Sequence, residues 1–303
     1  MESRYKVLVI LASFNGEKFI RDQIKSILAQ TAVQVHILVF DDKSSDNTIL
    51  EINSIMDPRI KIQGNSFNSG SAALNFLTAL KHIGDKNLGM YDYVSFSDQD
   101  DIWLETKLNF AIEELIRNDA SLYASNLIQW SFKNDRKTIL KKSHDQKKFD
   151  FLFEGGSAGC TYVFTNELAR QFVNSIANFN FSDWQYLSHD WMLYFYARFK
   201  KHKVFIDSKS HILYRIHDSN VHGSLSFWGR LKLVQIGWYK IHSSNFQKYF
   251  LKESSEEFFI YNHFNANWYQ RMYILTKYNF QLMRSKRKFV IFYILNLITI
   301  RFD

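Results

Sequence analysis

Five carboxylates of this 303-residue chain fall in two short runs, Asp41-Asp42 and Asp98-Gln99-Asp100-Asp101. Carboxylates gathered in one place repel one another, and a fold that gathers them offsets the charge with a cation. All-oxygen donors favour Mg²⁺ or Mn²⁺, which keep open positions for phosphate oxygens, so a phosphorylated ligand such as a nucleotide is the natural occupant. The plain alternative is that these residues only cap turns and helices, an ordinary use of Asp. Position favours the first reading, because each run directly follows a β-branched apolar segment. Ser13-Phe14-Asn15 follows a third.

The elements that must carry these residues read as alternating strands and helices, the pattern of a parallel sheet with crossover helices. Val7 to Leu11, Val33 to Phe40, Ile60 to Gln63 and Tyr93 to Phe96 read as strands. Helical spacing joins Phe19 to Leu28, Ile49 to Met56 and Ala73 to Leu80. In such a sheet ligands sit outside the carboxyl ends of the strands, where Ser13, Asp42 and Asp98 would lie together. Trp103 to Ile116 then reads as helix, Leu122 to Gln129 as one strand, and the lysine-rich Lys133 to Lys148 as a solvated, mobile connection. A strand over Thr161 to Thr165, helices over Asn166 to Ile176 and Asp190 to Phe199, and strands over Lys203 to Ile206 and Ile212 to Ile216 complete a mixed second half. From Leu225 the pattern is aromatic, basic and mainly helical. Glu154 to Cys160 carries glycines that either let backbone approach a sugar closely or make a turn-rich lead-in to the Thr161 strand.

Composition bounds the rest. Apolar residues at 46%, aromatics at 17% and a single proline are globular proportions. With Cys160 alone, no internal disulfide is possible and no cysteine-based zinc site is expected, so a reducing compartment is the simplest setting. The net charge of +8 favours anionic partners. No basic stripe interleaved with stacking aromatics is singled out, so nucleic acid is not expected as a partner. The N-terminus lacks a signal-peptide pattern, and no apolar run reaches the ~18 residues of a spanning helix.

In order and spacing, LASFNGEKF (Leu11 to Phe19), FDDKSSDNT (Phe40 to Thr48) and FSDQDDIWLETKL (Phe96 to Leu108) resemble the N-terminal half of family 2 glycosyltransferases. HDW (His189 to Trp191) and YRIHDSNVHG (Tyr214 to Gly223) extend the likeness, and the SDQDDIW form is similar to bacterial O-antigen and capsule hexosyl- and rhamnosyltransferases. The resemblance implies a GT-A fold: α/β, a Rossmann-like mixed sheet with helices on both faces. It would span residues 1–222, with a helical basic and aromatic C-terminal region over 223–303. It also implies roles. Ser13, Phe14, Asn15 and Glu17 would pack on the nucleotide, and Asp42 would hold the base. Asp98 would lean to the ribose and toward the metal, and Asp100 would bind Mn²⁺ or Mg²⁺ on the diphosphate. Asp190 would be the catalytic base, Arg215 a phosphate contact, and His217 a completing metal ligand or an ordinary core histidine. Asp101 would help at the metal or cap the helix starting near Trp103. Many members carry Glu-Asp where this chain has His189-Asp190.

The implied reaction is inverting, metal-dependent sugar transfer from a nucleoside-diphosphate sugar to a lipid-diphosphate-linked saccharide in bacterial surface polysaccharide synthesis. UDP-Gal or UDP-Glc is the first donor expected and dTDP-rhamnose the second. A metal-dependent nucleotidyltransferase would instead show a Gly- and Lys/Arg-rich triphosphate loop after the first strand, which Ser13 to Glu17 is not. A non-catalytic nucleotide-sugar-binding subunit would have no use for Asp98, Asp100 and Asp190 together. Arg284, Lys286, Arg287 and Lys288, set before an apolar run from Phe289, suggest an interfacial helix on an anionic membrane surface, placing the enzyme peripherally on the cytoplasmic face of the inner membrane.

Overall fold

The computed structural model of the chain describes residues 5–66, 68–131, 133–181, 184, 187–217 and 249–298. At its centre is strand β1 (Tyr5–Ser13), buried from Val7 to Ser13. A strand covered on both faces is apolar throughout, which is why VLVILA does not alternate. Strands β2 (Val33–Asp41) and β4 (Tyr93–Ser97) flank β1 in parallel, and β3 (Ile60–Gly64) extends the β2 side as the edge. The strand order therefore reverses at β1, and the crevice outside the carboxyl ends of β1 and β4 is where open α/β sheets bind ligands.

One face of this sheet, with Val7, Val9, Val35 and Ile37, packs on Ile20, Ile24 and Ile27 of helix α1 (Ile20–Leu28). Burying each such side chain contributes about 1.5–3 kcal/mol. Helix α2 (Thr48–Asn53) lies on the same side through Ile52. The opposite face takes helix α3 (Ala72–Leu88), whose Phe76 meets Phe96 at 5.1 Å. Ser71 caps α3 by accepting from the Leu74 amide, and the helix kinks at Gly84, whose φ of 66° only glycine adopts freely.

Beyond β4 the sheet turns mixed. Strand β9 (Val163–Thr165) runs antiparallel between β4 and β6 (Leu122–Ser125), and β10 (Val204–Asp207) pairs with β6 in parallel. Helix α4 (Lys107–Arg117) buries Leu108, Ala111 and Ile112, while α5 (Asn166–Ile176) starts at the Thr165 cap. Helix α6 (His189–Phe199) is buried continuously from Trp191 to Ala197.

Three local expectations are corrected. The strand expected over Leu122 to Gln129 breaks at Asn126, a buried amide that donates to the Ser208 carbonyl at 2.7 Å and accepts from the Lys142 and Ser143 amides. The chain there leaves the first sheet and continues in a second one as β7 (Leu127–Ser131). Part of the lysine-rich connection is the edge strand β8 (Arg136–Leu140) of that sheet, antiparallel to β7. Exposed charge on an edge strand discourages further pairing and also hides the strand from a hydrophobicity reading. Lastly, α4 begins at Lys107 rather than Trp103, because Ile102–Trp103 form a short strand, β5, against β11 (Ile212–Ile216).

Two compact units result. The first comprises Met1–Ser143, Gly156–Phe179 and Ser188–Asp218; the second comprises His144–Gly155, Asn180–Leu187 and Ser219–Asp303. The boundary expected at residue 222 lies outside the described residues. The second unit carries helices α7 (Glu256–Ala266), α8 (Trp268–Tyr278) and α9 (Lys286–Ile298); Phe153 stands edge-on to Phe264 of α7 at 5.1 Å and packs on Phe292 of α9 at 6.1 Å. Tyr261 donates to the Leu152 carbonyl at 2.8 Å. Arg284, expected to face a membrane, is instead buried: its amide and Nε donate to Glu154, and its guanidinium reaches the Gly155 carbonyl.

Candidate active site

The carboxyl end of β1 is bound to that of β2 by a web of short-range polar contacts. Ser13, 1% exposed, donates to Asp41 Oδ1 at 2.8 Å, and Asp41 also takes the amide and hydroxyl of Ser44. Asn15 sits in the left-handed region (φ 48°), which its short polar side chain tolerates. Its amide donates to Ser44 Oγ and its Oδ1 accepts from the Ser45 amide. Glu17 Oε2 accepts both the amide and the side-chain nitrogen of Asn47 at 3.0 Å.

Between these anchors, Gln99 clamps Phe14 from the neighbouring strand end. Its Oε1 accepts the Phe14 amide at 2.9 Å, and its Nε2 donates to the Phe14 carbonyl at 3.0 Å. The backbone of Phe14 is thus fixed while its ring stays 45% exposed, a shelf on which a planar base can stack. Asp42 is engaged by partners after β3, while its amide donates to the Ser13 carbonyl. Its carboxylate is 3% exposed and accepts from Asn65 Nδ2, the Ser69 amide and the Ser69 hydroxyl, each at 2.8 Å.

The acids after β4 are crowded. Burial, and then the charges of Asp100 and Asp190, push the Asp98 carboxyl up to about 7. Asp101 is fully buried; burial and the neighbouring Asp98 and Asp100 raise its carboxyl well above the ordinary range. One Asp101 oxygen accepts the Arg215 amide at 3.3 Å, and the other has no hydrogen-bond partner among the described residues. Ligand atoms of Asp98, Asp101 and Cys160 all lie within 4.8 Å of one another. Asp100 faces outward to His217, whose Nε2 is 2.8 Å from Asp100 Oδ2. A partnerless buried carboxylate oxygen of Asp101 beside the Asp98 carboxyl suits a hard divalent cation such as Mg²⁺ or Mn²⁺; the third member of that cluster, the Cys160 thiol, is a soft donor, and the His217 imidazole stands apart on Asp100.

Asp190 lies in the first turn of α6, behind the Ser188 cap. Its Oδ1 accepts the Trp191 amide at 2.7 Å and the Ser188 hydroxyl. Its negative charge is felt at Asp98, so the helix start and the acidic strand end share one locality. His189 is stacked on Phe76 at 4.1 Å and set edge-on to Phe96. Two glycines of the 154–160 stretch serve this packing: a Cβ on Gly159 would stand 2.4 Å from His189 Nε2, and one on Gly156 2.8 Å from the Tyr194 ring.

The structure thus pairs Asp100 with His217 and sets Asp98 within reach of the Asp100 and Asp190 charges. Among the described residues, however, the ligand atoms that come within 4.8 Å of one another are those of Asp98, Asp101 and Cys160, not of the expected set Asp98, Asp100 and His217. Ser13, Phe14, Asn15 and Glu17 lie along the adjoining edge. Arg215, 4% exposed, holds the acidic loop: its Nε donates to the Asp100 carbonyl at 3.0 Å, and its guanidinium packs on Phe19 and Trp130. Asp101 is no cap of α4, since that helix starts at Lys107 with Thr106 before it. Sequence reasoning missed three neighbours. Gln99 is the clamp; Cys160 lies against the buried acids; and Lys107, 2% exposed over the Trp103 ring, has its ammonium lowered to about 7 by burial. Only the position of Gln99 inside the acidic run could have drawn notice.

A mixed sheet of this strand order, with clustered acids at its reversal, belongs to the GT-A class of α/β folds. Residues 8–177 match glycosyl transferase family 2, and the chain belongs to that family: it is a glycosyltransferase. It is 39% identical over 237 residues to the Shigella flexneri dTDP-rhamnosyl transferase RfbG, spanning 76% of this chain and 81% of that protein. It is 32% identical over 160 residues to the Escherichia coli UDP-Glc:alpha-D-GlcNAc-diphosphoundecaprenol beta-1,3-glucosyltransferase WfgD, covering 52% of this chain and 59% of the relative. Among solved structures, S. aureus TarS (residues 1–349) in complex with UDP superposes with a TM-score of 0.55 at 17% identity, over 86% of this chain and 72% of TarS. The Pyrobaculum calidifontis mannosyltransferase PcManGT in complex with GDP-Man and Mn²⁺ gives a TM-score of 0.52 at 13% identity, over 98% and 87%. At such identities the structural likeness speaks for the fold alone.

Proposed function

We propose that the chain transfers rhamnose from dTDP-rhamnose, with inversion, to a saccharide carried on a polyprenyl diphosphate in the synthesis of a bacterial surface polysaccharide. The convergence of Asp98, Asp100 and Asp190 beside the Phe14 shelf carries the chemistry. The donor rests on the S. flexneri relative, matched over most of its length, and this reverses the order of donors expected from the motifs. UDP-Glc, with UDP-Gal beside it, is the second reading, favoured by the E. coli relative.

In this reading the base stacks on Phe14, and the 13–17 segment, braced by Ser44, Ser45 and Asn47, fixes its position. Asp42 and Asn65 border the base. Asp98 and Asp100, with His217 beside Asp100, would hold Mn²⁺ or Mg²⁺, which would supply positive charge for the departing nucleotide. Arg215 holds the loop of Asp100 and Asp101, its Nε on the Asp100 carbonyl and its amide on the Asp101 carboxylate, and acts on the diphosphate by positioning that loop. Asp190 accepts the proton of the acceptor hydroxyl, whose oxygen bonds to the anomeric carbon as the bond to the diphosphate oxygen breaks on the opposite face. The amide of Trp191 and the hydroxyl of Ser188 keep that carboxylate oriented at the positive end of α6.

The acceptor's lipid makes contact with a membrane useful, and α9 offers the means. Val290, Ile291, Ile294, Leu297 and Ile298 are exposed on one side of the helix, next to exposed Lys286, Arg287 and Lys288. No helix among the described residues is long and apolar enough to cross a membrane. The α9 stripe instead suits lying in an anionic interface, each cation contributing about 1 kcal/mol. A panel of dTDP-rhamnose, UDP-Glc and UDP-Gal offered with a diphosphoundecaprenol-linked GlcNAc tests the proposal. Transfer from dTDP-rhamnose alone or foremost is expected. Preference for a UDP-hexose would install the second reading, and donor binding without transfer or hydrolysis would leave only a binding subunit.

A further inference from the structure

The face of the main sheet that carries α3 is not fully covered. Beyond α3, between its C-terminal half and the edge strand β3, lies a groove of about 760 Å³, within the range of small-molecule sites. Its floor is Leu8 of β1 and Leu38 of β2; Tyr91 stands edge-on to His36 at 5.6 Å inside it. Lys6, Arg59 and Lys61 line it, and among the described residues no carboxylate does. Arg59 is neutralised by a two-pronged pair with Asp57, whose carboxylate is 2.7 Å away, whereas the ammonium groups of Lys6 and Lys61 have no ion-pair partner among the described residues.

The strand register puts Lys6 opposite Gln34 and Lys61 opposite Leu38, with His36 on β2 between them. At the usual strand spacing and rise the two lysine Cα atoms stand about 16 Å apart across the groove, a span that two extended lysine stems can bridge to one phosphate. The site is remote from the acidic edge. Lys6 precedes Ser13 by seven residues on one extended strand, about 23 Å.

We propose that this groove binds a soluble phosphate ester with a ring or apolar body, its phosphate held between Lys6 and Lys61 and its body on Leu8, Leu38 and Tyr91. The groove is concave, recessed between a helix and a sheet, so a free small molecule fits it and a bilayer surface does not. The surroundings of His36 carry the mark of this field. Its imidazole is held below the ordinary range by burial first and then by Lys6, Lys61 and Arg59. The other titratable groups facing it are Tyr91 and His82, with Asp57 and Asp92 outside the lining and bound to Arg59 and to the Lys6 amide.

His36 therefore reports on occupancy, because a dianion between the two lysines raises its pKa. Full-length protein in excess chelator, which silences metal-dependent binding at the acidic edge, is titrated with phenyl phosphate while the His36 ring is followed by NMR. A rise of at least about half a unit, half-saturated below about 10 mM, is expected. Benzyl alcohol should give none, inorganic phosphate a weaker effect, and Lys61→Gln or Lys6→Gln, either being an exposed and foldable change, should remove it. Phosphatidylglycerol vesicles should leave His36 unmoved. The proposal is overturned if phenyl phosphate leaves His36 unmoved, if the shift survives in both folded variants, or if only vesicles produce it. Failure of the donor panel would not touch this result, since neither lysine lies at the acidic edge.

Discussion

Gly159→Ala isolates the contribution of the α6 start to turnover. The added Cβ would meet His189 Nε2 at 2.4 Å and Asp190 Cβ at 3.3 Å, while ordinary contact begins at 3.4 Å. His189 is held against Phe76 and Phe96, so it cannot swing aside, and the first turn of α6 must give by about 1 Å. Overpacking of this kind costs about 1–3 kcal/mol of stability. The larger effect falls on catalysis, because Asp190 moves with the turn. A displacement near 1 Å lowers kcat roughly 100-fold, or about 2.7 kcal/mol of barrier. Gly156→Ala is the control: it crowds the Tyr194 ring and the Tyr162 hydroxyl further along the packing surface and leaves the α6 start alone. The measurements are thermal unfolding, calorimetric donor binding and kcat for both variants. Gly159→Ala should bind donor normally and turn over slowly, while Gly156→Ala should lose stability with a much smaller change in kcat. Unchanged kcat in a folded Gly159→Ala protein, or equal kcat losses in the two, would refute the reasoning.

Other expected outcomes follow from the same geometry. Since the Asp98 carboxyl is pushed up to about 7, a proton competes with a cation there below neutrality. Mn²⁺ affinity should therefore rise about tenfold from about pH 6 to about pH 8, and a flat calorimetric profile would remove Asp98 from the metal shell. Asp100→Ala should abolish metal-dependent donor binding; turnover persisting in excess chelator would contradict the metal assignment. Cys160, fully buried with its thiol raised by burial and by Asp101 and Asp98, should resist Ellman's reagent until the chain unfolds, so fast native labelling would show that the buried cluster opens. Ile294→Asp with Ile298→Asp should leave folding intact and weaken sedimentation with anionic liposomes at low salt. Equal binding by the variant would leave α9 without a membrane role.

The strand-end polar residues were legible because each follows directly on an apolar run, so the switch after Ala12, Phe40 and Phe96 to Ser13, Asp41 and Ser97-Asp98 marks the carboxyl edge. What escaped was everything set by distant partners. The Gln99 clamp joins residues 85 positions apart, and the Arg215 contacts with Asp100 and Asp101 join residues 115 and 114 apart. Local propensity holds no trace of such pairs. Strand β8 was hidden for another reason: four of its five residues are exposed, so no apolar alternation marks it. The glycines of residues 156–159 were visible as unusual, yet whether they make room for a sugar or for α6 depends on what packs against them.

The proposed transfer turns on Asp190 taking a proton while the acceptor oxygen attacks opposite the leaving diphosphate. NMR of the glycoside formed by the wild-type chain, with Asp190→Asn assayed alongside under identical donor saturation, tests this most directly. Inverted anomeric configuration, and at least about a hundredfold loss of turnover with donor binding retained in the variant, are the predicted results. Retained configuration, or near-normal turnover by Asp190→Asn, would contradict it.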